Sequence, residues 1–344
     1  MRTITLRELN RATLARQLLL ERKKLGVLAA VERLAGLQAQ WPPSPYIGLW
    51  SRVAGFRREA LERAIVNGDV VKPTAMRGTL HLLTARDYPV FWWALRDMPS
   101  WFDATHLAHA RKALAGARTL AEARPLTHKE GLEFLEREHG HVGVDARRIF
   151  HAVRRHGHLL HAPQSALWKG RPSAVFHPHP EPEPMDALVA RAELVHRYLA
   201  AFGPATRADV ADWSGLRVAD LAPALEALEP LRRFRSEEGR ELLDLPRAPL
   251  PAAETPAPVR FLPKWDSLLL GFADRRRVLP EAYRKTVIAK NGDVSQTFLV
   301  DGVVAGRWTA GKDGRVQVEP FAPLPRAARR ELEDEAARLE AFLR

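Results

Sequence analysis

The chain of 344 residues contains 46% hydrophobic and 27% charged residues and no cysteine. This length accommodates two or three compact units, and the composition is that of a globular protein rather than a disordered one. The absence of cysteine excludes disulfides, thiolate nucleophiles, iron–sulfur clusters and cysteine-ligated zinc. Because the N-terminal MRTITLRELN has no apolar core and no apolar run nears about 18 residues, we expect a cytoplasmic protein with no signal peptide and no membrane association.

Basic residues outnumber acidic ones by 53 to 41, which gives a net charge of +12. Of the basic residues, 43 are arginine and 10 are lysine. The arginine fork matches phosphate oxygens bidentately, so this bias favours a polyanionic partner such as nucleic acid. An arginine-rich proteome would give the same bias, and charge alone does not decide between the two.

The first block, residues 1–105, is predicted to contain three helices followed by two strands. Apolar residues recur at helical spacing over 6–21, and further helices are predicted over 27–37 and 57–66. Asn67-Gly68 is a stop signal for the third helix. The runs VVKPTAM (70–76) and RGTLHLLT (77–84) are then predicted to pair as a hairpin.

The second block, residues 106–184, repeats part of this order. Thr127 and Glu130 have the spacing of a capping box in front of a helix over 128–140. Asp145 is the predicted cap of a helix over 146–157, and the runs 158–163 and 173–178 are the candidate strand pair.

The third block, residues 185–246, shows the order most clearly. Apolar residues occupy one face of a helix over 186–202, and Thr206 is predicted to cap a short helix that Gly215 closes. A helix over 217–229 and a hairpin with Gly239 near its turn follow. Three helices followed by a hairpin are the pattern of a winged helix, a variant of the helix-turn-helix.

The proline-rich segments 176–184 and 246–258 are predicted to be linkers. The last segment, 259–344, has predicted strands over 259–265, 267–272, 285–290, 296–308 and 315–320 and a helix over 325–343. The sequence thus predicts an α+β fold of tandem winged-helix repeats with a small β-rich C-terminal domain. The alternative is an ordinary α+β chain, in which helices followed by hairpins also occur.

Four segments carry a family resemblance: LAGLQAQWPPSPYIGLWSRV (34–53), AMRGTLHLLTARDY (75–88), FLPKWDSLLLGFADR (261–275) and LVDGVVAGRW (299–308). In this order they resemble the AlkZ/YcaQ winged-helix DNA glycosylases. The resemblance implies tandem winged helices and the release of N7-alkylated purines, including interstrand crosslinks, from DNA. The catalytic motif of that family is Gln–aliphatic–Gln in the AlkZ branch and Gln–aliphatic–Asp in the YcaQ branch. Gln38-Ala39-Gln40 matches the AlkZ branch, with a small residue at the aliphatic position.

Gln38 and Gln40 are therefore the candidate catalytic residues. Residues i and i+2 share a side only in extended chain, and Pro42 disfavours helix at Trp41, so we expect extended backbone from Gln38 to Pro43. Two amides on one side can hold one water molecule between them. An N7-alkylated purine is already cationic, so positioning that water suffices without a catalytic acid. By spacing alone, capping or solvated glutamines are the commoner outcome, and the resemblance favours the catalytic interpretation.

Three further polar residues are candidates for a supporting role. Thr79 and His81 share the polar face of a predicted strand, and the resemblance places them near the lesion, where they would orient water or contact a phosphate. A solvent-facing hairpin is the alternative for both. Asp266 is the candidate electrostatic partner of the sugar cation, and a structural cap on the following turn is its alternative.

Cations near these motifs are predicted to contact DNA phosphates: Arg52, Arg77, Lys264 and Arg275. A solvated surface charge is the alternative for each of them. Aromatic residues beside the glutamine pair are predicted to line the lesion pocket: Trp41, Tyr46 and Trp50. A second aromatic group is predicted to pack in the core or between domains: Trp92, Trp93, Trp101 and Phe102.

Two motifs mimic other kinds of site. Segment 306–312 has P-loop spacing, but Asp313-Gly314 stand where Ser or Thr would bind magnesium and a hairpin is predicted there, so we expect no nucleotide cofactor. A group of histidines has a superficial metal-site pattern: His156, His158, His161, His177 and His179. Because no acidic or cysteine partner completes that pattern, we expect no metal and no cofactor.

The sequence therefore predicts a monofunctional DNA glycosylase of DNA repair that acts as a monomer on double-stranded DNA carrying alkylated purines. The alternative from another class is a non-catalytic winged-helix DNA-binding protein, either a regulator or an architectural factor. A glycosylase should prefer damaged DNA and be nearly blind to sequence, whereas a regulator should discriminate among undamaged sites. A third interpretation is a protein-interaction scaffold, whose binding should survive high salt.

Overall fold

The structure, a computed structural model, describes residues 1–99, 102–170, 174–311 and 313–344. Trp101, Lys312 and Ser173, which belong to features predicted above, lie outside these ranges. Within them the chain forms fourteen α-helices and thirteen β-strands. Four small sheets accompany the helices, so the fold is a mixed α+β one. None of the helices in the described ranges is both long and apolar enough to cross a bilayer.

The first block contains the following elements: β1 (Thr3–Ile4), α1 (Leu6–Arg16), α2 (Val27–Arg33), β2 (Leu37–Gln38), α3 (Pro43–Trp50), α4 (Arg58–Val66), β3 (Val70–Val71), β4 (His81–Thr84) and α5 (Tyr88–Leu95). The predicted hairpin is confirmed, because β3 pairs antiparallel with β4. Helix α1 ends earlier than predicted because Leu18 adopts a φ of 58°. Helix α3 was not predicted, because its sequence contains prolines. A proline in the first turn of a helix is nevertheless tolerated, since the backbone N–H groups there have no partner within the helix.

The second block contains α6 (Ala104–Ala123), β5 (Leu126–Thr127), α7 (His128–His139), α8 (Gly143–His156), β6 (Leu159–His161) and β7 (Val175–Pro178). The capping box of Thr127 and Glu130 is confirmed. The predicted cap at Asp145 is wrong, because α8 begins two residues earlier and Asp145 lies in its first turn. Strands β6 and β7 pair antiparallel, as predicted.

The third block contains α9 (Ala187–Phe202), α10 (Arg207–Ser214), α11 (Val218–Glu226), β8 (Arg232–Ser236) and β9 (Glu241–Asp244). Thr206 forms the capping box of α10, and Gly215 ends that helix with a φ of 84°, both as predicted. The hairpin of β8 and β9 is also confirmed. Its sheet has a third strand that was not predicted, because β1 pairs in parallel with β8.

The C-terminal segment contains β10 (Arg260–Leu262), α12 (Ser267–Leu270), α13 (Glu281–Val287), β11 (Thr297–Val300), β12 (Val303–Ala310), β13 (Val316–Pro320) and α14 (Arg326–Leu343). Its four strands form one antiparallel sheet in chain order. The predicted strands over 267–272 and 285–290 are wrong. Asp266 caps α12 through the backbone N–H of Leu268, and Lys285 lies in the last turn of α13.

Helix α1 connects parts of the chain that are distant in sequence. The Arg16 guanidinium is buried against the Asp244 carboxylate, with Nη1 2.6 Å from Oδ1. Arg11 bonds Asp301 of the C-terminal segment and donates to the Thr255 carbonyl at 2.7 Å. The proline-rich segment 246–258 therefore lies along α1, and the N-terminal residues pack with the third block rather than with the first.

One apolar core spans the first and third blocks. Met76 and Phe91 of the first block share it with Tyr198 and Trp213 of the third, all four being buried. Helix α5 packs along α9 at this junction. The end of α10 is thereby held against the turn that precedes β4, which is where several of the predicted site residues lie.

Candidate functional site

The segment that carries the glutamine pair leaves α2 through a sharp left-handed turn. Ala35 and Gly36 have φ values of 55° and 88°. A Cβ on Gly36 would lie 2.6 Å from Leu83 Cδ2 and 3.3 Å from the Leu82 carbonyl oxygen. Only glycine permits this approach at low cost, and the turn delivers the chain directly onto β4.

Gln38 and His81 lie directly opposite each other on antiparallel strands β2 and β4. The backbone N–H of Ala39 donates to the Leu80 carbonyl at 2.8 Å, which makes that neighbouring pair a hydrogen-bonded one. Because such pairs alternate, Gln38 and His81 form a non-hydrogen-bonded pair with Cα atoms about 4.5 Å apart. Their side chains therefore stand close together on one face of the sheet.

The Gln38 side chain is buried, and its amide oxygen has a charged partner. Arg77 Nη2 donates to Gln38 Oε1 at 2.7 Å. The other end of the same guanidinium, Nη1, donates to the backbone carbonyl of Trp213 at 2.7 Å. Burial lowers the pKa of Arg77 to about 10, with the charges of Asp212 and Arg275 acting in opposite directions, so Arg77 remains protonated at neutral pH.

Gln40 is half-buried at the point where the chain turns away from the sheet. The prediction of extended backbone from Gln38 to Pro43 is wrong beyond Ala39, because Pro42 has helical angles of −51° and −40° and α3 starts immediately after it. Ser44 N–H donates to the Trp41 carbonyl in this turn. Gln40 Oε1 is enclosed and accepts no hydrogen bond from the described residues, which leaves a polar atom unsatisfied.

His81 is neutral at the site. Burial and the nearby Arg77 charge lower its pKa to about 3, and a hydrogen bond to the Thr79 carbonyl partly opposes that shift. Its Nδ1 lies 3.1 Å from the Thr79 carbonyl oxygen and so carries the proton that it donates there. Thr79 Oγ1 donates to the Met76 carbonyl at 3.0 Å, so its hydroxyl closes its own turn.

Arg52 and Asp266 are structural partners rather than surface groups. Arg52 is 1% exposed and Asp266 5%. Arg52 donates to both Asp266 oxygens and to the carbonyls of Gln17 and Gly48. The prediction that Arg52 contacts DNA is wrong, because its charge is enclosed and directed at protein acceptors. The structure favours the interpretation of Asp266 as a structural cap, since its carboxylate accepts hydrogen bonds from Arg52 and from the backbone N–H of Leu268.

Lys264 and Arg275 are more accessible than Arg52, and each has a carboxylate partner. Lys264 Nζ lies 3.1 Å from the Asp293 carboxylate, and its side chain is 32% exposed. Arg275 donates from Nε to the Leu269 carbonyl and from Nη2 to Asp212 at 3.2 Å. A partly exposed cation with one exchangeable partner is able to turn toward a phosphate, so the prediction for these two residues stands as a proposal.

The three aromatic residues predicted to line a lesion pocket lie in different surroundings. Tyr46 is completely buried and donates its hydroxyl to the Ala166 carbonyl at 3.1 Å, which excludes it from an open pocket. Trp50 is partly buried and stacks on Phe342 of α14 with ring centroids 5.8 Å apart, so it packs against the core. Trp41 lines a cavity of about 480 Å³ whose walls also include Trp168 and Trp308.

The described members of the second predicted aromatic group, Trp92, Trp93 and Phe102, pack between blocks, as expected. Trp92 and Trp93 contact each other edge to face with centroids 4.9 Å apart. Their ring N–H groups donate to the carbonyls of Arg155 and Glu183 in the second block. Phe102 lies 5.7 Å from the His151 ring.

The histidine group of the second block is a packing cluster. His158 Nδ1 lies 2.8 Å from the Tyr88 hydroxyl, and burial lowers its pKa to about 4. In the described part of the chain no group of three or more His, Cys, Asp or Glu side chains is arranged to hold a metal ion. Segment 306–310 lies in β12, which is a strand rather than a P-loop.

Sequence reasoning missed two residues at the end of α10. The Trp213 carbonyl receives Arg77, and Asp212 lies close enough to both Arg77 and Arg275 to interact electrostatically with each. Burial raises the pKa of the Asp212 carboxyl, and the two arginine charges oppose that rise. No sequence signal marks these residues, because they reach the site only through the packing of the third block on the first.

A sequence model described as DNA glycosylase AlkZ-like matches residues 31–342. The chain therefore belongs to the AlkZ-like family of DNA glycosylases, which confirms the resemblance and the prediction of an enzyme.

Two comparisons extend over nearly the whole chain. The interstrand DNA cross-link repair glycosylase of Streptomyces sahachiroi is 26% identical over 357 residues, which cover 94% of this chain and 92% of that protein. The solved structure of Streptomyces sahachiroi DNA glycosylase AlkZ is similar with a TM-score of 0.83 and 24% identity, over 99% of this chain and 97% of the other. The structural likeness confirms the mixed α+β fold.

Proposed function

We propose that this protein is a monofunctional DNA glycosylase that hydrolyses the N-glycosidic bond of cationic N7-alkylated purines, including those in interstrand crosslinks. Family membership supports the reaction class. The name of the Streptomyces sahachiroi relative, an interstrand DNA cross-link repair glycosylase, supports the crosslink as a substrate.

The chemistry of such a lesion demands little acid–base catalysis. The electron pair of the C1′–N9 bond moves onto the cationic purine, which leaves as a neutral base. Water adds to C1′ of the oxocarbenium-like sugar and releases one proton to solvent, leaving an abasic site. The protein must place that water and stabilise the developing charge, and fixed amide dipoles do both.

The observation that carries this proposal is the arrangement of the glutamine pair. Gln38 has its amide oxygen bound by Arg77, and Gln40 has an amide oxygen with no partner among the described residues. Neutral His81 stands opposite Gln38 without adding positive charge beside a cationic substrate. We assign Gln38 and Gln40 as the residues that orient the attacking water.

The buried lysine of the first block, Lys72, is consistent with attack by water rather than by a lysine amine. Burial lowers the pKa of Lys72 to about 8, which increases the neutral, nucleophilic fraction of its amine although the protonated form still dominates at pH 7. Its Nζ nevertheless donates to the Ser165 carbonyl at 2.8 Å and is 3% exposed. An enclosed amine with a protein partner does not reach the sugar.

The partner in this proposal is double-stranded DNA, bound by a monomer. Each of the three blocks contributes helices and two or three strands of a three-stranded sheet, and in this proposal the blocks act as tandem winged helices around the duplex. Lys264 and Arg275 supply phosphate contacts, and Trp41, which follows Gln40 and lines a cavity, contacts the lesion. Binding of this kind falls steeply with salt.

The test is abasic-site formation in duplex DNA carrying N7-methylguanine, with Gln38→Ala, Gln40→Ala and the exposed control Gln164→Ala. We expect cleavage by the wild type and the control, and its loss in the two site variants with DNA binding retained. Activity unaffected by both site changes would contradict the mechanism. Tight, salt-sensitive binding without excision of this lesion or of a crosslink would instead indicate a non-catalytic DNA-binding protein.

A further inference from the structure

We propose that Arg77 is a positioning residue that fixes the orientation of the Gln38 amide, so that Gln38 acts in the site as a hydrogen-bond donor. This inference rests on the proposed function and deepens it. It also replaces the sequence-based expectation that Arg77 contacts a DNA phosphate.

The chemistry of the two side chains decides which way the Gln38 amide faces. A guanidinium has five N–H donors and no acceptor, so the group that meets it must be the amide oxygen. The 2.7 Å contact from Arg77 Nη2 to Gln38 Oε1 is a charge-assisted hydrogen bond of ordinary length for that type. The NH₂ group of Gln38 is consequently the end that remains for a water molecule or a sugar oxygen.

Arg77 is itself held at the other end of its guanidinium and along its backbone. Nη1 donates to the Trp213 carbonyl at 2.7 Å, and the backbone of Arg77 adopts a φ of 55° within the turn formed by Met76–Gly78. The third block approaches this turn closely, because a Cβ on Gly215 would lie 3.1 Å from both N and Cα of Arg77. The guanidinium therefore has little freedom to swing toward DNA.

Gln40 differs from Gln38 in this respect. Its Oε1 has no hydrogen-bond partner among the described residues, and the terminal torsion of a glutamine is broad and roughly two-fold. An enclosed amide oxygen without a protein partner is satisfied by a water molecule, so Gln40 is the acceptor of the pair, whereas Gln38 is held as a donor. The two amides divide the work of orienting one water, with Gln38 facing its oxygen and Gln40 facing one of its protons.

The experiment compares Arg77→Gly and Arg77→Lys with the wild type. Glycine suits the left-handed backbone of residue 77, so this variant deletes the side chain without adding strain. The matched control is Arg118→Lys, because Arg118 is also part-buried and donates to backbone carbonyls, those of Gly157 and His179 in the second block. Three quantities are measured: the single-turnover excision rate on saturating N7-methylguanine duplex, the salt dependence of Kd, and Tm.

We expect the saturated rate to fall by about ten- to one-hundred-fold in Arg77→Gly and by less in Arg77→Lys, which keeps one charged donor. Kd and its salt dependence should stay within about twofold of the wild type, and Arg118→Lys should keep the wild-type rate. A weaker Kd with a shallower salt dependence and an unchanged saturated rate would overturn the inference in favour of a phosphate contact. If the loss of rate in Arg77→Gly is no larger than the fraction of that variant that is unfolded, the inference is overturned and Arg77 has only a structural role.

A second measurement does not depend on catalysis. In protein labelled with ¹⁵N-glutamine, the side-chain NH₂ signal of Gln38 is assigned by its loss in Gln38→Ala. We expect an order parameter near that of rigid backbone in the wild type and below about 0.6 in Arg77→Gly. An unchanged order parameter would overturn the positioning role. If Arg77 orders the Gln38 amide but the protein excises no lesion, the proposed function is wrong while the positioning role of Arg77 still holds.

Discussion

Arg52 and Asp266 face each other as a two-pronged ion pair, with Nη1 2.9 Å from Oδ2 and Nη2 2.7 Å from Oδ1. Both side chains are enclosed, and the pair joins the end of α3 to the start of α12 in the C-terminal segment. A buried pair of this kind stabilises the fold only while both partners are present, because either charge alone would be left without solvent or a counter-charge.

Replacing Asp266 by alanine should therefore destabilise the protein without changing the chemistry. The Arg52 charge would stay buried, and the N–H of Leu268 would lose its cap, so we expect a loss of about 3–5 kcal/mol in the free energy of unfolding. Urea unfolding measures that loss, and single-turnover excision measures the rate per folded molecule. Normal stability with a lost excision rate would contradict the structural assignment and return Asp266 to the reaction centre.

A second buried carboxylate, that of Asp244, should contribute as much to the stability of the fold. It receives Arg16 from α1 and Arg232 from β8, and it is completely buried. Asp244→Asn should lower the free energy of unfolding by about 3 kcal/mol or more and speed hydrogen exchange along α1, since it uncouples that helix from the third block. Glu133→Gln, which removes an exposed pair with Lys129, should stay within about 0.5 kcal/mol of the wild type. Equal effects in the two variants would contradict the prediction.

The two glutamines should respond unequally to replacement by glutamate. Gln38→Glu would place a carboxylate against Arg77 and remove the NH₂ donor, so we expect the single-turnover rate to fall by about one-hundred-fold. Gln40→Glu keeps an acceptor oxygen, so we expect the single-turnover rate to fall by less than about tenfold. Comparable losses at the two positions, with Tm unchanged in both variants, would show that the amides are not distinguished in the way proposed.

Acidification should loosen the packing between the first and second blocks. Burial lowers the pKa of His158 and His156 to about 4 and that of His161 to about 3, with the charges of nearby cations adding to the effect. As the pH falls, these histidines therefore become protonated in the unfolded chain before they do so in the folded protein. The free energy of unfolding should hold its full value above about pH 6.5 and decrease as the pH drops toward 4, by about 1 kcal/mol per pH unit for each histidine. Urea unfolding between pH 7.5 and 5 measures the slope.

Replacing His161 tests directly whether the buried histidines cause the loss of stability in acid. Its ring packs edge to face on Phe176 with centroids 4.8 Å apart, and its enclosed Nδ1 has no partner among the described residues. His161→Phe keeps the ring contact and removes one proton site, so it should leave stability at pH 7.5 intact and lower the slope of stability against pH by about 1 kcal/mol per pH unit. The exposed control His196→Gln should leave the slope unchanged. An unaltered slope in His161→Phe would assign the acid sensitivity to other groups.

Many local features of this chain follow from neighbouring residues and were predictable from them. The caps at Thr127 and Thr206 and the stop at Gly215 depend on hydrogen bonds and backbone angles within a few positions of each residue. Helical periodicity likewise located α9 and α14. The Gln38–x–Gln40 spacing is also local, so the sequence identified the pair although not the turn that follows it.

The partners of the charged residues were decided by tertiary structure. Arg77 reaches Gln38 across 39 positions and Trp213 across 136, and Arg52 reaches Asp266 across 214. A cation that looks suited to a phosphate in the sequence is enclosed when the packing of distant segments brings a carboxylate or carbonyl to it. By itself the sequence determined the local elements and the residue types of the site. Only the folded chain decided which of those residues stay accessible and which hold the blocks together, because burial and long-range pairing depend on every segment that packs against them.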